Sequence, residues 1–112
     1  MMLRQGDIVL IPIPYTNLKS QKKRPVMIIS NGYYNESSQD VIAIAITSNI
    51  RGIEYEVVIE NEDMTEGNLK RISCIRTDKI YTLSRELIIK KFGKINDDII
   101  DDVKKSINIL IN

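Results

Sequence analysis

The sequence predicts a mainly β fold with some α structure: a small, mostly antiparallel barrel or sheet with an appended C-terminal helix. Three observations lead to this prediction. Short apolar runs rich in isoleucine and valine recur along the chain, separated by polar segments that contain glycine or proline. These runs do not alternate with helical patterns, which argues against parallel βαβ units. Apolar residues repeat at helical spacing near the C-terminus.

Length and composition predict one globular domain covering residues 1–112. A chain of this size can bury roughly two-thirds of its unfolded surface, and an apolar content of 43% argues against disorder. The single cysteine, Cys74, excludes an intramolecular disulfide and favours a reducing compartment. The sequence shows neither a signal-peptide pattern nor an apolar segment of membrane-spanning length, so we expect a cytoplasmic protein.

The charge balance restricts the chemistry that the chain can carry. The net charge is +1, so binding to a polyanion must come from a local patch. The chain has no histidine, which removes the usual general base near neutral pH and the commonest metal ligand. A zinc site is improbable with one cysteine and no histidine. We expect no metal and no cofactor.

The first strand is predicted at Ile8–Ile11, a continuous apolar run that is typical of a strand buried on both faces. Pro12 and Pro14 are expected to end it. The polar loop that follows, from Tyr15 onwards, holds the strongest basic cluster of the chain: Lys19, Lys22, Lys23 and Arg24. Tyr15 could stack on a nucleobase, or it could be an ordinary half-buried tyrosine, and we favour the second alternative.

The second strand is predicted at Val26–Ser30, directly after Arg24 and Pro25. Proline lacks an N–H and has a fixed φ, so it suits the first residue of a strand. It also forces the residue before it into an extended conformation. Arg24 is therefore expected at the lip of a buried strand, where its planar guanidinium suits recognition of phosphate or carboxylate. On spacing alone, a basic surface loop kept for solubility is the favoured alternative.

The third strand is predicted at Val41–Ile46, after a polar stretch (31–39) that forms a loop or one irregular helical turn. It ends in small polar residues, Thr47, Ser48 and Asn49. Such residues are typical of turns. Their hydroxyl groups would also be well fixed at a strand end for hydrogen bonding to phosphate or sugar.

Alternating residues over 54–60 predict a half-solvated antiparallel strand, followed by a loop over 61–68. A longer strand is predicted over 70–80. Arg76 and Asp78 lie two residues apart in it and therefore share a face. They could form a surface ion pair of little energetic value, or a phosphate binder and an acid–base group.

The parity of the 70–80 strand places Cys74 on the same face as Ile72, and both are expected in the core. Residues 81–88 are ambiguous, with one helical turn possible around 84–86. The last strand is predicted over 88–95.

A C-terminal helix is predicted after Asn96, which is a typical N-cap residue. Asp97 and Asp98 fill the first turn, where the helix dipole favours anions. Ile95 and Ile100 occupy the positions of a hydrophobic staple. The apolar stripe packs either on the sheet or in a dimer interface, and its members are Ile99, Ile100, Val103, Ile107 and Leu110.

The ordered set of motifs resembles the PemK/MazF family of type II toxin–antitoxin toxins. The motifs are Gly6–Val9, Lys23–Ser30, Ile44–Ser48 and Ile75–Lys79, followed by the terminal helix. The resemblance implies an SH3-like barrel of the PemK/MazF type with a C-terminal α-helix, and a homodimer. It also implies a sequence-specific endoribonuclease that cuts single-stranded RNA without a metal.

The resemblance also assigns functional residues. It implies roles for Arg24 and Thr47, with Ser48 beside them, and, as in the PemK branch, for Arg76 and Asp78. One departure matters: the PemK branch places a histidine in the first long loop, and this chain has none there.

A mechanism follows from these residues. RNA supplies its own nucleophile, the 2′-hydroxyl, so the protein must deprotonate it, stabilise the pentacoordinate phosphate and protonate the leaving oxygen. Arg24 would stabilise the charge on the phosphate, and Thr47 would orient the phosphate or the 2′-hydroxyl. Asp78, the sole carboxylate of the set, is the candidate base, with Arg76 as second cation or proton donor. The products would be a 2′,3′-cyclic phosphate and a 5′-hydroxyl.

The expected partners are single-stranded RNA and an antitoxin. Further RNA-binding residues are expected in the basic loop and beside Thr47: Tyr15, Lys19, Lys22, Lys23 and Ser48. The antitoxin would carry an acidic, disordered tail that folds into the RNA groove and competes for the cations of residues 19–24. Contact with DNA is expected only indirectly, through the antitoxin.

Two other functions stay open from the sequence. One keeps the fold without the chemistry, as a non-catalytic RNA- or protein-binding barrel or an attenuated toxin. The other is a structural dimerisation domain that does not depend on RNA. A binder would lose affinity in small steps per cation removed, whereas a nuclease would lose turnover steeply at one arginine.

Overall fold

A computed structural model describes residues 2–14 and 21–112. Within them, the strands form one antiparallel sheet in the order β4-β6-β3-β2-β1-β7-β5. The strands are β1 Asp7–Pro14, β2 Gln21–Ile28, β3 Asp40–Thr47, β4 Glu56–Ile59, β5 Met64–Glu66, β6 Ser73–Ser84 and β7 Lys90–Ile95. The helices are α1 Gly32–Ser37 and α2 Asp97–Ile111, with short 3₁₀ turns at Asn61–Asp63 and Arg85–Leu87. The predicted mainly β fold with a C-terminal helix is confirmed.

The central strands are buried on both faces, as their β-branched runs predict. One face packs under α2, in a cluster that includes Ile8, Met27, Ile44, Ile75, Ile95, Ile99, Ile100 and Val103. The opposite face packs around the N-terminal segment, in a cluster made of Leu3, Val9, Ile11, Val26, Ile28, Val41 and Ala43. The stripe of α2 therefore packs on the sheet from Ile99 to Ile107, whereas Leu110 is exposed. Its N-terminus is capped as predicted, since the Asn96 side chain accepts a hydrogen bond from the Ile99 N–H at 2.8 Å.

Strand β1 runs past Ile11 and Pro12 and ends at Pro14, so the prediction that Pro12 ends it is wrong. The reason lies in which edge the prolines face. The Leu10 carbonyl accepts from the Ile89 N–H at 2.8 Å, so the main chain of Leu10 points towards the β7 side. The main chains of Pro12 and Pro14, two and four residues further along the strand, point to the same side. Pairing with β7 stops at Leu10, so the missing N–H groups lie on an unpaired edge, where proline is tolerated.

Strand β2 begins at Gln21, five residues before the predicted start at Val26, and Lys22–Arg24 belong to it. Pro25 is therefore an interior residue of the strand, not its first. Its position still marks a boundary, because β2 pairs with β1 from Gln21 onwards but with β3 only from Val26 onwards. The next hydrogen-bonded pair would join Pro25 to Ile46, and Pro25 has no N–H to donate. The pairing of β2 with β3 ends at this point.

A second interruption lies on the other side of β3. Ile44 pairs with Ile80 of β6, whereas Ile46 pairs with Ile75. The stretch 76–79 of β6 thus stands opposite Ala45 alone and bulges from the sheet. Bulges of this kind are common beside functional sites, where they redirect side chains. The end of β3 is therefore flanked by an opening on each side.

Other differences from the sequence predictions are local. Strand β6 begins at Ser73, so Ile72 is 53% exposed, whereas Cys74 is buried as predicted. The segment 61–68, predicted as a loop, contains the 3₁₀ turn and β5, which pairs with β7. The segment 31–39, predicted as a loop or a helical turn, contains the helix α1. The helical turn considered around 84–86 is observed as the second 3₁₀ turn.

A buried amide ties α1 to the sheet. Asn35 is fully buried, and its Nδ2 donates to the carbonyls of Leu3 and Ser30, each at 3.0 Å. Its Oδ1 accepts from Ser30 Oγ. Because its hydrogen bond to the Leu3 carbonyl is buried, loss of the amide leaves that carbonyl unsatisfied.

We therefore expect Asn35→Ala to lower the free energy of unfolding by about 2–4 kcal/mol. The measurement is urea denaturation followed by circular dichroism. Asn31→Ala is the control, since Asn31 is exposed and caps α1 by one hydrogen bond, to the Tyr34 N–H at 2.9 Å; it should cost about 1 kcal/mol. Equal losses in the two variants would contradict a special role for the buried amide.

Candidate functional site

Arg24 and Thr47 lie at the opening between β2 and β3. Both line a cavity of about 370 Å³ and a smaller one of about 200 Å³. Arg24 is held in extended β2 directly before Pro25, and Thr47 is the last residue of β3. The opening exists because the two strands stop pairing at Pro25. The sequence prediction that Arg24 stands beside a buried strand therefore agrees with its place in the fold.

Thr47 connects the two openings that flank β3. Besides the two cavities shared with Arg24, it lines a third, of about 180 Å³, together with Arg76 and Lys79 from the bulge of β6. Its Oγ1 accepts from the Asn49 N–H at 3.1 Å, which forms the turn after β3. The two predicted roles of Thr47, turn formation and hydrogen bonding to a ligand, are thus compatible, since Thr47 stabilises the turn and also lines the cavities.

Arg76 and Asp78 share a face, as predicted, and form a two-pronged ion pair. Arg76 Nε donates to Asp78 Oδ1 at 2.9 Å and a terminal guanidinium nitrogen donates to Oδ2 at 2.8 Å. The Arg76 side chain is 11% exposed and the Asp78 side chain 29%. These hydrogen bonds raise the pKa of Arg76 and lower the pKa of Asp78. The pair is therefore fully ionised near neutral pH and holds the guanidinium in one orientation.

The middle of the bulge is fastened to other elements. Thr77 is fully buried between Arg76 and Asp78, and its N–H and Oγ1 both donate to the Tyr55 carbonyl, at 2.9 and 3.1 Å. Its Oγ1 also contacts Ser106 Oγ of α2. A bulge anchored in this way presents its two charged neighbours at fixed positions.

Two further ionisable groups near the bulge, Glu56 and Cys74, have shifted pKa values. The Glu56 carboxylate accepts from the N–H groups of Arg51, Gly52 and Ile53 at 2.8–3.2 Å, and the hydrogen bond from Arg51 contributes most to lowering its pKa. Cys74 is buried, and this burial raises the pKa of its thiol to about 11. Cys74 therefore stays a neutral core residue near neutral pH, as the sequence predicts.

The predicted site residues fall into three groups. Arg24, Thr47, Ser48 and Lys23 line the largest of these three cavities. Arg76 joins Thr47 at the third cavity, and Asp78 reaches it through Arg76. Lys22 is exposed on β2, outside the three cavities, and Tyr15 and Lys19 lie outside the described residues.

The sequence does not predict the other residues that line this largest cavity. Its far wall consists of residues from the segment 68–71 and from β7, namely Asn68, Leu69, Lys70, Arg71, Lys90 and Phe92. Two adjacent cations at 70–71 were the available signal. The sequence predicts a strand there, and no pattern in the neighbouring residues indicates that they line a cavity with Arg24.

The ion pair makes a pH-dependent contribution to stability. Because the pKa of Asp78 is lowered in the folded state, this contribution is present above the unfolded pKa, about 3.9, and is lost as the pH falls through the folded value. We expect Asp78→Asn to be less stable than the wild type at pH 7 by at most about 1 kcal/mol, since the pair is partly exposed.

The difference should vanish once the pH falls below the lowered folded-state pKa of Asp78. Urea denaturation at several pH values measures it. Glu36→Gln, at an exposed residue of α1, is the control and should show a much smaller change. A difference for Asp78→Asn that grew as the pH fell would contradict the ion-pair interpretation.

Comparison with known proteins places these features in a family. Residues 4–111 match the family model of the PemK-like, MazF-like toxin of type II toxin–antitoxin systems. The chain belongs to this family. The resemblance predicted from the motifs is therefore confirmed.

Individual relatives agree with the family assignment. Endoribonuclease EndoA of Bacillus subtilis is 26% identical over 110 residues, covering 97% of this chain and 94% of that protein. The MazE–MazF structure from Deinococcus radiodurans (Form-III) has a TM-score of 0.82 at 18% identity, covering 99% and 97% of the two chains. A mycobacterial endoribonuclease in complex with its cognate antitoxin has a TM-score of 0.80 at 18% identity, covering 97% and 94%. These structures confirm the predicted barrel of the PemK/MazF type.

Two further properties concern the described residues, 2–14 and 21–112. Neither helix is long and apolar enough to cross a bilayer. No three His, Cys, Asp or Glu side chains of this part of the chain are grouped so that they could hold a metal ion.

Proposed function

We propose that this chain is the toxin of a type II toxin–antitoxin system and cleaves single-stranded RNA at specific sequences without a metal. Membership of the PemK-like, MazF-like toxin family supports this function, as do relatives named endoribonucleases. The observation that carries it is the meeting of Arg24 and Thr47 at one opening of the sheet, with Arg76 at the adjoining opening. Two guanidinium groups and a hydroxyl there can surround a phosphodiester.

Cleavage would proceed by attack of the RNA 2′-hydroxyl oxygen on the adjacent phosphorus with loss of the hydroxyl proton. The bond from phosphorus to the 5′-oxygen of the next nucleotide breaks, and that oxygen takes up a proton to become the 5′-hydroxyl. Arg24 would neutralise the charge that develops on the phosphate oxygens, since donors aimed at developing charge give the largest rate effects. Thr47 would orient the phosphate or the 2′-hydroxyl. Arg76 would act as the second cation. The products would be a 2′,3′-cyclic phosphate and a 5′-hydroxyl.

The ion pair bears on the role of Asp78, predicted from the sequence as the general base. A carboxylate with a lowered pKa is a weak base, and both of its oxygens are occupied by Arg76. We therefore assign to Asp78 the positioning of Arg76.

The two roles of Asp78 predict different pH–rate profiles. If Asp78 positions Arg76, Asp78→Asn should reduce cleavage about tenfold, because one prong is lost, and should leave the acidic limb of the profile in place. If Asp78 is the base, the acidic limb should disappear and the rate should fall about a hundredfold or more. Rates of single-turnover cleavage across the pH range distinguish the two.

The proposed partners follow the same chemistry. An antitoxin with an acidic, disordered tail would occupy the cationic opening and exclude RNA, and contact with DNA would pass through that antitoxin. Lys22, Lys23 and Ser48 would contribute to RNA binding, together with Tyr15 and Lys19. The protein would act as a homodimer and, since its substrate is mRNA, in the cytoplasm.

The test of this function is incubation of the purified protein with a long single-stranded RNA in EDTA, followed by mapping of the ends. We expect discrete cuts that leave cyclic phosphates. RNA that stays intact but is bound, with affinity that falls in small steps per cation removed, would instead establish the non-catalytic binding module. RNA that is neither cut nor bound would favour the dimerisation domain.

A further inference from the structure

The largest cavity, of about 370 Å³, is only partly explained by the proposed cleavage roles. Arg24 and Thr47 form one side of it. The other side consists of the segment 68–71 and of Lys90 and Phe92 from β7, and none of these residues has a role in the cleavage step.

Positive charge is concentrated around this cavity. Lys70, Arg71 and Lys90 add to Lys23 and Arg24, and no Asp or Glu is among the described residues that line it. The whole chain has nearly balanced charge, with 16 basic and 15 acidic residues. Such a local excess of one sign favours an anionic occupant.

The cavity also offers an apolar surface. Phe92 and Leu69 are half-buried and pack against the core beneath them. An aromatic ring next to cations is the combination that binds single-stranded nucleic acid, since bases stack on the ring and the cations neutralise the backbone. The volume lies at the lower end for small-ligand pockets, which suits one nucleotide better than a folded segment.

The far wall is fixed before any ligand binds. The Leu69 N–H donates to Asn61 Oδ1 at 2.8 Å. Gly67 has a φ of +75°, and a Cβ at this position would overlap the Phe92 carbonyl, so the chain passes directly over β7 here. A preformed wall avoids the entropy cost of ordering a loop on binding.

We propose that this cavity holds one nucleotide of the RNA substrate, next to the phosphate that is cleaved. Its base stacks on Phe92, and its phosphate lies among Lys70, Arg71 and Lys90. Arg24 borders this cavity and the adjacent one, so a strand whose scissile phosphate is at Arg24 continues into it. The inference rests on the proposed function, and it names the residues that select the sequence at one position beside the cut.

The test compares three variants with the wild type: Phe92→Leu, the double variant Lys70→Ala/Arg71→Ala, and Lys104→Ala/Lys105→Ala. The last is the matched control, because it removes two exposed lysines from α2, away from the cavity. The probe for binding is a set of 2′-O-methyl oligoribonucleotides of varied sequence, which lack the nucleophile and cannot be cut. Cleavage of a long transcript reports sequence preference, and thermal denaturation shows that each variant folds.

We expect Lys70→Ala/Arg71→Ala to weaken binding about tenfold or more and to reduce the slope of log affinity against log salt by about 0.7 per cation. Phe92→Leu should weaken binding by a factor of about five or more. It should also relax the preference for one base beside the cut. The control should change none of these.

Wild-type affinity in both cavity variants would overturn the proposal, and so would an equal loss in the lysine control. Unchanged RNA binding combined with lost inhibition by the antitoxin would also overturn it, since the cavity would then bind protein. Binding of the uncleavable RNA does not require catalysis. A wild-type protein that bound RNA through this cavity but cut none would therefore refute the proposed nuclease, and with it the position beside a cut, while the binding of a nucleotide in the cavity would be retained.

Discussion

Replacing Arg24 with alanine is expected to lower the rate of RNA cleavage by a factor of about a hundred or more. The residue lies in an extended strand, is followed by Pro25, and lines two cavities with Thr47. The backbone that carries its guanidinium is therefore fixed at the cavity before the substrate arrives, and a preorganised donor is worth most when charge develops on the phosphate. Single-turnover cleavage of a defined RNA, with kcat and KM determined separately, measures the effect.

Two further variants serve as controls for this prediction. Arg24→Lys keeps the charge but loses the planar fork, so it should recover only part of the rate. Arg4→Ala removes an exposed arginine that does not line the cavities, and it should cleave as the wild type does. Because Arg24 lines a cavity and lies outside the buried core, Arg24→Ala should melt within a few degrees of the wild type. Wild-type cleavage by Arg24→Ala would refute its proposed role.

Replacing Gly67 with alanine should have the largest effect on stability among the glycine positions. The residue has a φ of +75°, which costs a non-glycine residue about 1–2 kcal/mol. The added Cβ would also overlap the Phe92 carbonyl and lie 3.0 Å from Gly93 Cα. These are backbone atoms, so no side-chain rotation relieves the overlap. We expect a loss of at least about 2 kcal/mol in the free energy of unfolding.

Gly52→Ala is the matched control for this prediction. Gly52 has nearly the same φ, +72°, but a Cβ there would meet nothing within 4 Å. It should therefore cost only the backbone term, about 1–2 kcal/mol. Urea denaturation of both variants separates backbone strain from steric overlap, and equal losses would show that the contact with β7 contributes nothing. Gly67→Ala should also weaken RNA binding, because it displaces the wall that carries Lys70 and Arg71.

The sequence predicted those elements whose signals are local. The β-branched run of β3, the cap and stripe of α2 and the shared face of Arg76 and Asp78 each depend on residues close together in the chain, and each is observed. The positions of Arg24 and Thr47 were also predictable, because Pro25 and the end of β3 mark them. The functional roles of Arg24 and Thr47 came from the resemblance to the PemK/MazF family.

The features that the sequence did not predict depend on pairing between distant segments. Strand β5 is short and forms because β7 lies beside it. The bulge at 76–79 is visible only once β3 and β6 are aligned. Lys70 and Arg71 line the same cavity as Arg24, and the chain reaches this place after Gly67 passes over β7. No pattern within the segment 67–71 specifies that neighbour.

The two prolines of β1 have a consequence for assembly. Beyond Leu10, the edge of β1 that faces away from β2 is unpaired among the described residues, and an exposed strand edge normally invites another chain to add to the sheet. Pro12 and Pro14 remove two successive amide donors from that edge, so an incoming strand would find acceptors without their donors. Strand addition, and the aggregation that it starts, is disfavoured there. An antitoxin segment that reaches the neighbouring cavity must therefore be held by its side chains, not as an eighth strand.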